Sequence, residues 1–131
     1  MVSPLWVRQR NHPVAGLDFV HLHVHSNYSL LEGAIQLARL ADLAKADKQA
    51  ALALTDTDNM FGALEFSEKL AGAGIQPIVG CALAIDFGDT DHGARTGNAQ
   101  PERARIVLLA ARAQGYRSLM RLNSRDSPFA G

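Results

Sequence analysis

Cysteine is almost missing from this sequence. Cys81 stands alone among 131 residues, which excludes an internal disulfide and suits a reducing compartment. A dominant charge is missing too: 13 basic side chains balance 13 acidic ones, so no global field draws the chain to nucleic acid or anionic lipid. No apolar run is long enough to span a bilayer, and the opening "MVSPLWVRQRNHPVAG" lacks the apolar stretch of a signal peptide. A cytoplasmic protein with no membrane contact is therefore expected. There is no internal repeat and no low-complexity tract.

What is present fits one folded domain, with 47% hydrophobic residues. The charge is balanced overall but not locally. Residues 1–100 hold 7 basic and 11 acidic side chains, whereas residues 101–131 hold 6 arginines and 2 acids. That basic tail reads as a solvated helix face before it reads as a phosphate contact.

The pattern of apolar residues predicts alternating strands and helices. Phe19–His25 alternates, with Phe19, His21, His23 and His25 on one face and Val20, Leu22 and Val24 on the other. Ala34, Leu37, Ala38, Ala41 and Ala44 recur at helical spacing and predict a helix from about Gly33 to Ala46. "ALALT" (51–55) reads as a short buried strand closed by the polar turn "DTDN". "MFGALEFSEKLAGA" reads as a second helix, with Gly74 placed for a left-handed cap. A strand over 75–85 follows, and then residues 86–104, rich in Gly and Asp, read as a surface loop or insertion. "RIVLLA" (105–110) predicts a strand and "RAQGYRSLMRLN" a helix, with Tyr116, Leu119 and Met120 turned inward. This order describes an α/β protein with mostly parallel strands, whose chemistry collects where the strands end.

Several residues near those strand ends are candidates for chemistry. His23 and His25 project alike from one strand, about 7 Å apart at the base, which suits one metal between them or two neighbouring metals. Two imidazoles do not make a site, and a hydrogen-bonded polar strand face explains them as well; His21 lies farther from the strand end. Glu32 is either a carboxylate ligand or, with Ser29, half of an S-x-x-E capping box. Asp56 and Asp58 pose the same choice between holding a cation and orienting a neighbour or capping the helix near Met60, where Asn59 is equally placed.

Taken together, "FVHLHVHSNYSLLEGA", "LALTDTDNMFGALEF", "GIQPIVGCALAI" and "RIVLLAARAQGYRSLMRLNS" resemble the polymerase and histidinol phosphatase (PHP) domain at the N-terminus of bacterial DNA polymerase III alpha subunits. The resemblance covers roughly residues 18–125 and implies an arm over 1–17 followed by a partial PHP domain over 18–131. It also implies the first part of a distorted (β/α)7 barrel, whose active members hold up to three metal ions for phosphoester hydrolysis. A barrel of this type needs about 250 residues, so the family's later ligand motifs and the polymerase site are expected beyond this sequence.

Residue by residue, the resemblance places His23 and His25 at the family's paired ligands. Glu32 stands where an Asp ligand is usual, and Asp56 matches the Asp of a T-D-H motif. Thr57 replaces the His of that motif, and Ala82 replaces a Glu. A hydroxyl and a methyl do not substitute for an imidazole and a carboxylate, so the expectation is a vestigial metal site with no catalytic residue. Zinc or manganese would be the cofactor if the site worked. The implied role is a scaffold that docks other replicase subunits, especially a proofreading exonuclease, with DNA reached through the parent polymerase. The alternative is a metal-dependent phosphoesterase or 3′–5′ exonuclease of the same superfamily.

Overall fold

Apolar residues at helical spacing in two segments, and short apolar runs between them, build one core cluster that includes Phe66 and Leu70. The computed structural model describes residues 19–85 and 104–125. Its elements are α1 (Leu37–Ala46), β1 (Ala51–Leu54), α2 (Ala63–Gly72), β2 (Gln76–Ile85), β3 (Ala104–Leu109) and α3 (Ala113–Arg125). The arm expected over 1–17 lies outside the described residues. So does the loop expected at 86–104, except for residue 104, which opens β3.

The three strands form one sheet in the order β1-β2-β3. β1 and β2 run parallel, from Ala51 opposite Gln76 to Leu54 opposite Val79, with α2 as the crossover between them. β3 runs antiparallel to β2, from Gly80 opposite Leu109 to Ile85 opposite Ala104. The sheet is therefore mixed, where mostly parallel strands were expected. The reason is the connection: a parallel return needs a crossover, usually a helix, whereas residues 86–103 have no helical periodicity.

Leu37, Leu40, Ala41 and Ala44 of α1 pack with Phe66 and Leu70 of α2 and with Leu52, Leu54 and Ile75. Val24 is partly buried against this core. The left-handed stop after α2 is present: Gly74 has φ +79, and the Ile75 amide donates to the Leu70 carbonyl at 2.9 Å, closing the helix end. In α3 only Leu119 is buried; Met120, expected inward, is 48% exposed.

Residues 19–25 are not a regular strand. The Ala53 amide donates to the His21 carbonyl and the Thr55 amide to the Val24 carbonyl, both at 2.9 Å. Acceptors three residues apart thus face donors two apart, leaving one extra residue, as in a bulge. Strict alternation breaks there. His21, Leu22 and His23 are all exposed, whereas Val24 turns to the core and His25 is half-buried.

The first helix also starts later than its periodicity predicts, at Leu37 rather than near Gly33. The Ile35 carbonyl accepts from the Asn27 amide at 3.0 Å, and Gln36 is extended at φ −69 and ψ 144. Gly33 lies so close to the chain at Ser26 that a Cβ there would sit 2.2 Å from the Ser26 carbonyl oxygen. Tertiary contacts with residues 26–27 therefore hold 33–36 out of the helix.

Candidate functional site

The ends of the first segment, β1 and β2 do converge. Thr57 and Ala82 face each other in an isolated parallel bridge, in which the Ala82 amide donates to the Asp56 carbonyl at 3.0 Å and the Asp58 amide to the Ala82 carbonyl at 2.9 Å. Partners across such a bridge project to the same side, so Ala82 shares a face with the Thr57 hydroxyl.

Asp56 is the buried centre of this region, 1% exposed. Its Oδ1 accepts from the Ser26 amide at 2.6 Å and from the Ser29 hydroxyl at 2.7 Å, while Oδ2 accepts from the Ser26 hydroxyl at 2.7 Å. Three donors from one loop thus converge on one carboxylate. Ser29 belongs to that loop and caps no helix: α1 begins eight residues later, with Gln36 as its uncapped N-terminus. Asp58 and Asn59 cap none either. The residue before α2 is Gly62, Asp58 adopts φ +52, and Asn59 donates to the Tyr28 and Thr57 carbonyls at 2.9 and 3.0 Å.

The two histidines lie side by side, ring centroids 4.7 Å apart and nearly perpendicular. His23 Nδ1 is 2.8 Å from the Thr55 hydroxyl, and His25 Nδ1 is 3.1 Å from the Ser29 hydroxyl. Ser29 gives its single proton to Asp56 and accepts from the Thr57 amide at 3.0 Å. Its remaining lone pair can only receive a proton, so His25 is the donor in this contact, through Nδ1.

Glu32 lies on the exposed side of this group. Its Oε2 accepts from the Thr57 hydroxyl, and its Oε1 accepts from Arg105 Nη1 at 2.8 Å. The same Arg105 nitrogen is 3.2 Å from the Thr57 oxygen, and His25 Nδ1 is 3.7 Å from Glu32 Oε2. The Thr57 hydrogen bond holds the Glu32 carboxyl below its ordinary 4.5; partial desolvation opposes this, and the Arg105 charge and hydrogen bond reinforce it. Behind the site, Cys81 is fully buried with its Sγ 3.3 Å from the Asp56 carbonyl oxygen, and burial pushes the thiol up to about 11.

His23, His25, Glu32, Asp56, Thr57 and Ala82 thus share one end of the sheet, with His21 farther back along the segment. Among the described residues, no three His, Cys, Asp or Glu side chains form a group that could hold a metal ion. Both Glu32 oxygens and both Asp56 oxygens already have protein donors, and positions 57 and 82 offer a hydroxyl and a methyl. Sequence reasoning missed Ser26, Thr55 and Arg105 here. A serine ending "HVHS" and a threonine opening "TDTD" are the signals that pointed to the first two.

A PHP domain family model matches residues 21–130. The DNA polymerase III subunit alpha of Treponema pallidum is 46% identical over 118 residues, which span 86% of this chain and 10% of the relative. That of Caulobacter vibrioides is 44% identical over 112 residues, 83% of this chain and 9% of the relative. The chain thus spans only about a tenth of these relatives' length. Among solved structures, an amidohydrolase from Chromobacterium violaceum with bound sulfate and no metal superposes with a TM-score of 0.55 at 28% identity, covering 78% of this chain and 32% of that one.

Proposed function

The chain belongs to the PHP domain family, and on that premise we propose that it is the N-terminal PHP portion of a cytoplasmic replicative DNA polymerase III alpha subunit. In this reading it forms the first part of the (β/α)7 barrel over 18–131, preceded by an arm over 1–17. It acts as a non-catalytic scaffold that docks other replicase subunits, a proofreading exonuclease among them. DNA and nucleotides are handled by the rest of the polymerase. The alpha-subunit relatives support the replicative assignment. Among the described residues, no helix is long and apolar enough to cross a membrane.

The observation that carries the scaffold reading is how the candidate ligands are engaged. Asp56 organises the 26–29 loop, Glu32 is closed by Thr57 and Arg105, and Thr57 and Ala82 bring no ligand of their own. The test is a chelator-stripped preparation titrated with zinc and then with manganese. The expected result is no stoichiometric binding, with capture of the cognate exonuclease subunit by the complete PHP domain. Failure of that capture overturns the docking role.

One observation favours a second reading, the metal-dependent phosphoesterase or 3′–5′ exonuclease. His23 and His25 are neighbours with hydroxyls on both Nδ1 atoms, an arrangement that also orients histidine ligands. Further ligands would have to come from sequence outside this chain. Tight stoichiometric binding that disappears in the His23→Ala, His25→Ala double variant supports this reading over the first.

A further inference from the structure

Arg105 has no counterpart in the ligand set considered above, yet it reaches into that set from β3. We propose that Arg105 is the resident cation of this site, holding the place against Glu32 that a divalent ion would otherwise take. The inference rests on the incomplete-site reading and adds the group that keeps the site closed to metal.

The geometry is specific. Glu32 is the exposed candidate carboxylate, since Asp56 is buried and engaged by three donors. Arg105 Nη1 lies 2.8 Å from Glu32 Oε1 and 3.2 Å from the Thr57 oxygen. A metal on that carboxylate oxygen would sit about 2.0–2.6 Å from it. It would then lie inside the hydrogen-bonding shell that the guanidinium occupies, and two cations would share one carboxylate. A guanidinium cannot relieve that repulsion by losing its proton. Its backbone is also fixed, because Arg105 is paired with Ala84 in the β2–β3 ladder.

A surface ion pair alone would make a different prediction. Both side chains are partly exposed, at 45% and 39%, and pairs of that kind contribute little to stability. If Arg105 were only such a pair, removing it would leave metal affinity unchanged. If it is the resident cation, its removal has its main effect on metal binding rather than on the melt.

The experiment needs a site with enough donors to bind zinc measurably. Thr57→His with Ala82→Glu adds an imidazole and a carboxylate on the face that holds His25 and Glu32. Zinc affinity is measured by competition with a chelator for the parent chain, this double variant, and the double variant carrying Arg105→Gln. Thermal melts followed by circular dichroism verify that each is folded. Lys45→Gln in the double variant is the control. It removes the same charge from the last turn of α1, at the opposite end of β1 from the site.

The expected result is zinc affinity about tenfold or more higher with Arg105→Gln than without it, because a divalent ion and a guanidinium repel strongly at this separation. Lys45→Gln gives no such gain. Equal affinity with and without Arg105, including no binding in either, overturns this proposal alone. An equal gain from Lys45→Gln does so as well, by reducing the effect to net charge. Tight stoichiometric zinc binding by the parent, with Arg105 in place, overturns the incomplete-site reading together with this one.

Discussion

Ser26 gives Asp56 two hydrogen bonds, one from its amide at 2.6 Å and one from its hydroxyl at 2.7 Å. With the Ser29 hydroxyl, also at 2.7 Å, they pin the 26–29 loop to the end of β1. Both serines and the carboxylate are almost fully buried, so each donor depends on this acceptor. Asp56→Ala leaves three buried donors without their partner and is expected to destabilise the fold by about 3 kcal/mol. Urea denaturation measures this. An unchanged midpoint would show that water replaces the carboxylate at little cost.

Gly33 permits the same loop to close. A Cβ at this position would lie 2.2 Å from the Ser26 carbonyl oxygen and 2.9 Å from its carbon, both backbone atoms with little freedom to yield. Gly33→Ala is expected to cost about 1–3 kcal/mol. The damage should appear first as faster proteolysis around residues 26–33. By contrast, Gly72→Ala on α2 meets nothing within 4 Å and should be neutral or slightly stabilising. The pair of thermal melts separates a local clash from a general intolerance of added bulk.

The elements most legible in the sequence were those with their own apolar period. Leu52, Leu54, Phe66, Leu70 and Val79 lie in the strands and helix that their spacing predicts, and all are buried. Tertiary contacts decided the rest. The Gly33–Ser26 approach cut four residues from the start of α1, although Ala34 continued its stripe. The mismatch between His21 and Val24 carbonyls and Ala53 and Thr55 amides disturbed the alternation of the histidines. Ser29 fits a capping box by spacing, but its hydroxyl goes to a carboxylate 27 residues away. Arg105 lies 73 residues from Glu32, and an arginine at the start of an apolar strand carries no sign of that partner.

Glu32 should give the site an acid dependence. Its folded carboxyl is held below 4.5, first by the Thr57 hydroxyl and, among the favourable effects, next by the Arg105 charge. A carboxyl with a depressed folded value adds stability above its unfolded value and loses it as pH falls through the folded one. The parent should therefore lose stability relative to Glu32→Gln on acidification below about pH 4.5. The effect is expected to be small, because the group is exposed, and to shrink at high salt. Melting temperatures of parent and variant across this range test it; parallel curves would show that the Thr57 and Arg105 contacts do not persist in solution.

Cys81 makes the opposite prediction at the alkaline end. The side chain is fully buried, and removal from water pushes the thiol from 9.0 to about 11, with Asp58 and Asp56 adding in the same direction. Backbone hydrogen bonds to Asn59 and Asp58 offset part of this. An acid with a raised folded value holds its proton longer in the native state. Stability is thus fully present below about pH 9 and declines as pH rises toward about 11, where the unfolded thiol is already ionised. The same shift lowers the native thiolate fraction about a hundredfold at neutral to mildly alkaline pH. Alkylation of Cys81 by iodoacetamide should be slow in the folded chain and fast in urea, with the native rate following the extent of unfolding. Equally fast alkylation in both states would place the thiol at the surface and remove it from behind Asp56. Cys81→Ser provides the matching stability measurement. It keeps the shape but sets a stronger hydroxyl donor beside the Asp56 carbonyl, so the alkaline decline should vanish while the neutral-pH fold persists.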